Sequence, residues 1–90
     1  MNVVAFPGTP PTGQQVLETV YKFNAQRPAW RLELQHGEDD GRPYVVATHS
    51  IAETVLGFHW KPGNWAVLNA NARVLQESVS LDELMTAHLR

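Results

Sequence analysis

"AWRLELQHGEDDGRPYVVAT", Ala29 to Thr48, decides the fold. From Trp30 to His36 apolar and polar residues alternate. Trp30, Leu32, Leu34 and His36 fall on one side, and Arg31, Glu33 and Gln35 on the other. A period of two describes a strand with one wet face. "GEDDGRP" is polar and glycine-rich, the composition of a hairpin loop. "YVVAT" then returns with apolar residues on both faces, which places it inside a sheet rather than at its edge. A hairpin is thus the centre from which the rest is read.

Upstream, Thr12 is followed three residues later by Gln15, and downstream Ser50 precedes Glu53 and Ser80 precedes Glu83. Each pair has capping-box spacing: the hydroxyl accepts from a first-turn N–H while the Glu or Gln reaches back to the cap. Three helices are expected on this basis. The first runs from Thr12 to about Gln26, with Val16, Leu17, Val20 and Tyr21 on its apolar stripe. A second, short helix follows Ser50, with Ile51, Val55 and Leu56 inward and Gly57 as its C-terminal cap. The third carries Leu81, Leu84, Met85, His88 and Leu89 at helical spacing, and Val79 can staple to Leu84.

"FHWKPGNWAVLN" (Phe58–Asn69) reads as a second hairpin, and "RVLQES" (Arg73–Ser78) as one more strand. Two registers are open for the "KPGN" turn. A two-residue Pro-Gly turn sets Lys61 opposite Asn64 and Trp60 opposite Trp65, with both indoles on one face. A three-residue loop with Asn64 in the left-handed region separates them. "VVAF" (Val3–Phe6) suggests a short N-terminal strand that Pro7 ends, and residues 1–11 form a Pro/Gly-rich lead-in. The whole, 1–90, is expected to be one α+β domain. It has a four- to five-stranded, mainly antiparallel sheet with three helices packed on it.

Composition narrows the function. Apolar residues make up 43% of the chain and charged residues 18%, a globular balance. With no cysteine there are no disulfide staples and no thiolate ligands, and a cytoplasmic location is expected. Seven Lys and Arg against nine Asp and Glu give a net charge of −2. The basic residues are scattered, which argues against a nucleic-acid partner. No stretch reaches membrane-spanning length.

Histidines stand at 36, 49, 59 and 88, without the i, i+4 spacing of a helical metal pair. Neither metal nor cofactor is expected. "THS" (Thr48–Ser50) sets a serine beside a histidine, but neighbouring residues point apart and no nucleophile elbow is present, so an enzyme is not the preferred reading. Glu38, Asp39 and Asp40 are first of all a solvated loop and secondarily an acidic patch for a basic partner. In a chain this small, Trp60 and Trp65 are first of all core.

Their functional reading is that one indole, with Lys61 and His59, anchors a protein partner. The expected function is a small non-enzymatic binding module, an adaptor or inhibitor that occupies a partner's surface as a monomer or homodimer. A phage or mobile-element inhibitor would fit this description. The alternatives are a sheet that stacks single-stranded nucleic acid on Trp60, Trp65 and Tyr44, and a small enzyme or ligand carrier.

Overall fold

The first helix is where the capping box puts it. A computed structural model describes residues 11–90 and shows α1 over Gly13–Gln26. Thr12 Oγ1 accepts from Gln15 N at 3.1 Å, and Thr12 N donates to Gln15 Oε1 at 2.9 Å. Val16, Val20 and Phe23 are its buried stripe, whereas Tyr21 is 65% exposed.

Five strands follow: β1 Trp30–His36, β2 Pro43–His49, β3 Val55–Lys61, β4 Asn64–Asn69 and β5 Val74–Ser78. They pair in sequence order, every neighbour antiparallel, as a simple meander. β2 is internal, as its two-sided apolar pattern requires. The chain closes with α2, Leu81–His88. The expected N-terminal strand Val3–Phe6 lies outside the described residues.

Both helices cover one face of the sheet. Trp30 and Leu32 of β1, Val45 and Ala47 of β2, Leu56 and Phe58 of β3, and Trp65 and Val67 of β4 point into a single cluster. There they meet α1 and the Leu81, Leu84, Met85 and Leu89 side chains. α1 lies on β1 and β2, and α2 on β4 and β5. Lys22 and Asp82 form an ion pair that joins the helices. A single apolar layer between one sheet face and two helices is the α+β solution for a chain of this size.

Two helices form, not the three expected. No helix follows Ser50. His49 Nδ1 accepts from the N–H groups of Ile51 and Ala52, at 3.2 and 3.0 Å. The imidazole thus takes the capping role expected of the Ser50 hydroxyl. It closes a hairpin loop rather than opening a helix, because His49 N bonds Thr54 O at 2.9 Å and Glu53 N bonds His49 O at 3.1 Å. Glu53 adopts φ 59°, which ends any helical run. Ile51 is consequently 84% exposed, while Val55, Leu56 and Gly57 belong to β3.

Val79 is 80% exposed and does not staple to Leu84. Ser78 Oγ donates to Glu83 Oε2 at 3.0 Å and accepts from Ser80 N at 3.1 Å, a local knot that turns Val79 outward.

The "KPGN" hairpin takes the two-residue register. Lys61 opposes Asn64, Trp60 opposes Trp65, and Phe58 opposes Val67. Gly63 has φ +89°. Proline at the first central position cannot adopt the positive φ of a primed turn, so the turn is of type II and glycine is required second.

Candidate functional site

The face of the sheet opposite the helices carries no covering element among the described residues. Register places its side chains in transverse rows. One row is Gln35, Tyr44, His59, Ala66 and Glu77. The next is Glu33, Val46, Gly57, Leu68 and Val74. A third begins with Arg31, Thr48 and Val55. The middle row runs from Val46 to Val74 as an apolar band, notched at Gly57. Three strand spacings make it about 14 Å long. Val55 and Val74 on this face are 37% and 47% exposed.

His59 and Tyr44 stack at the centre of this face, ring centroids 4.7 Å apart and planes 11° from parallel. Tyr44 Oη donates to Gln35 Oε1 at 3.0 Å, which fixes the phenol. The imidazole leans over the Gly57 notch: a Cβ there would lie 2.9 Å from His59 Nε2. Partial burial of the imidazole in this stack holds its pKa below the ordinary histidine value.

The two cations of this face each stand beside a glutamate. Lys61 reaches across β4 to an ion pair with Glu77, and Ala66 beneath it is 3% exposed. Arg31 stands 3.6 Å from Glu33.

Where the β1–β2 loop overhangs the ends of β2 and β3, a cavity of about 300 Å³ opens. Tyr44, His59 and Trp60 line it from the strand ends, and Gly37, Glu38, Asp39 and Asp40 line it from the loop. The loop is built by its own groups. Asp40 Oδ1 accepts from Arg42 N at 2.9 Å, Gly37 N bonds Arg42 O at 3.0 Å, and Gly41 N bonds Gly37 O at 2.9 Å. The Asp40 carboxylate folds over Gly37, where a Cβ would come within 2.6 Å of it. Arg42 then extends its guanidinium over Trp60, 5.0 Å from the ring centroid.

The residues singled out from the sequence are thus divided. Trp60, His59 and the three acidic residues meet at the cavity. Trp65 is 7% exposed and belongs to the core. Lys61 lies on the helix-free face and Trp60 on the helix face, since successive strand residues point apart. Sequence reasoning named Tyr44 with Trp60 only as a nucleic-acid stacking residue and did not bring Arg42 to this place. Tyr44 is recognisable from its position beside the loop in a strand with alternating faces, but its partner His59 depends on the β2–β3 register. That register in turn rests on the His49-bonded loop.

Among the described residues no three His, Asp or Glu side chains gather as a metal site, and no helix is long and apolar enough to cross a membrane. Comparison of the chain with protein-family models, curated proteins and solved structures finds no match.

Proposed function

We propose that the chain is a non-enzymatic protein-binding module, an adaptor or inhibitor that acts by occupying a partner's surface through the helix-free face of its sheet. The observation that carries this reading is the apolar row Val46–Gly57–Leu68–Val74, uncovered by either helix. Val46, Gly57 and Leu68 are half-buried and Val74 is exposed, and contiguous apolar surface marks interaction sites more than scattered apolar residues do. Tyr44 and His59 form a rigid aromatic centre beside it, the type of residue that dominates interface energetics. Lys61 and His59 lie on this surface, Trp60 stands at its loop end on the opposite face, and Glu38, Asp39 and Asp40 form a secondary acidic patch.

The electrostatics disfavour single-stranded nucleic acid. A stacking platform needs a track of cations along a phosphate backbone, and here Arg31 and Lys61 each stand beside a glutamate in an exposed pair. The test is a capture experiment from the native host with three forms of the chain: wild type, Leu68→Glu, and Gln14→Glu on exposed α1 surface. A specific protein retained by wild type and Gln14→Glu but lost with folded Leu68→Glu is the expected result. Equal retention by all three, or retention of nucleic acid with steep salt dependence, overturns the reading.

A further inference from the structure

The geometry points to His49 as a proton-sensitive latch: the loop joining β2 to β3 stays closed while the imidazole is neutral and opens when it takes up a proton. The latch is one ring nitrogen. His49 Nδ1 accepts from Ile51 N at 3.2 Å and from Ala52 N at 3.0 Å. A neutral imidazole can accept at one nitrogen, whereas both nitrogens of an imidazolium are donors. Rotating the ring about Cβ–Cγ puts Cδ2 there instead, so no rotamer restores the acceptor. Asp40 and Asn69 hold the neighbouring loops through side-chain oxygens, which remain acceptors through the neutral range. A histidine in the same role does not.

No carboxylate offsets the added charge. His49 stands edge-on to Trp30, ring centroids 5.0 Å apart and planes 87° apart. Trp30 N in turn bonds Arg27 O at the end of α1, and Trp30 Nε1 donates to Arg90 O beyond α2. The charged residues that the helix ends bring are thus the cations Arg27 and Arg90, while Arg31 of β1 lies on the opposite sheet face. The loop contributes Glu53, and β3 has no charged residue before Lys61. Among the described residues no acidic side chain forms an ion pair with His49.

The consequence reaches the sheet. Glu53 sits at φ 59°, a conformation that a residue with a side chain holds only when its surroundings fix it. The two bonds to Nδ1 brace that turn from inside. Once they are gone, the end of the β2–β3 ladder, where Thr48 pairs with Val55, loses its closure. Thr48 and Val55 lie on the helix-free face, so the latch sets the order of one corner of the surface proposed for the partner. This last step rests on the partner-binding reading; the latch itself does not.

The experiment follows the intact chain by NMR from about pH 8 to about pH 5, the range over which histidine takes up its proton. It reads the amide resonances of Ile51, Ala52 and Val55 together with the His49 ring. Wild type should lose the hydrogen-bonded amide shifts of Ile51 and Ala52 in step with the ring, with Val55 following. His49→Asn keeps an acceptor for the loop and takes up no proton in this range, so it should hold those shifts throughout. Its histidines at 36, 59 and 88 control for protonation elsewhere. His49→Ala should lack the shifts at both ends of the range. Ile51 and Ala52 amides that stay unchanged in wild type overturn the inference, as does the same acid-induced loss in His49→Asn. Capture through the Leu68 surface is a separate measurement at neutral pH, so the two readings fall separately.

Discussion

His59 illustrates how one residue comes to carry several constraints. It stacks on Tyr44, covers Gly57, and loses solvent on its inner side. Burial disfavours the charged imidazole, so the folded-state pKa lies below the ordinary 6.5. The sign of the linkage follows. Above 6.5 the residue is neutral in both folded and unfolded chains and costs nothing in ionisation. As pH falls below 6.5 the unfolded chain takes up the proton first, and stability drops until the folded-state value is passed. His59→Phe keeps an aromatic cover over Gly57 and removes the proton. Urea unfolding from neutral pH downward should show wild type losing more stability than His59→Phe through this window. Parallel curves would mean that the imidazole titrates freely. Sequence alone marks His59 as a strand residue beside two tryptophans; the stack that shifts it depends on a strand pairing that no local motif encodes.

At the level of elements, a cap works only where the following backbone is free to become a helix. Ser80 Oγ accepts from Glu83 N at 3.2 Å and opens α2. Ser50 has the same spacing to Glu53, but His49 Nδ1 has already taken the neighbouring donors. Ser80→Ala should therefore cost about 0.5–2 kcal/mol in chemical unfolding, and Ser50→Ala less than about 0.5 kcal/mol. A comparable loss at both positions would contradict the capping assignment. Three of the four hairpin loops use such a side-chain acceptor: Asp40 Oδ1 for Arg42 N, His49 Nδ1 for two donors, and Asn69 Oδ1 for Asn71 N and Arg73 N. Asx-type bonding by Asp40 and Asn69 is legible from residue type; a histidine in that role is not. α2 itself was the plainest element in the sequence, because Leu81, Leu84, Met85 and Leu89 repeat at helical spacing and all four are buried. Leu84 is 0% exposed, and Leu84→Ala should lower stability by about 2–5 kcal/mol. A loss under about 1 kcal/mol would show that α2 is dispensable to the core.

For the whole molecule, the meander was readable because hairpin signals follow one another, from the alternation in β1 to the Pro-Gly turn. What local pattern could not show was how the edges of the sheet are treated. An open five-stranded sheet has two, and both would pair with foreign strands if left unprotected. β1 is guarded from α1: Asn24 Oδ1 accepts from Leu32 N at 2.9 Å, and Asn24 Nδ2 donates to Leu32 O at 3.1 Å. One amide thereby occupies both outward backbone groups of a strand residue. β5 is guarded differently, by a register shift beside Leu68 that pairs it with Val74 and leaves Leu75 extra. Such a bulge bends an edge and spoils it as a template. With both edges blunted among the described residues, the chain should sediment as a monomer at micromolar concentration. Asn24→Ala removes two hydrogen bonds from the β1 edge, an expected cost of about 1–3 kcal/mol. It also exposes the Leu32 backbone groups to another strand. Sedimentation should then show association that grows with concentration in Asn24→Ala and is absent in wild type. An Asn24→Ala chain that loses stability yet stays monomeric would mean that the amide supports packing but does not guard the edge, and a wild-type dimer would mean that β5 or the open face already pairs.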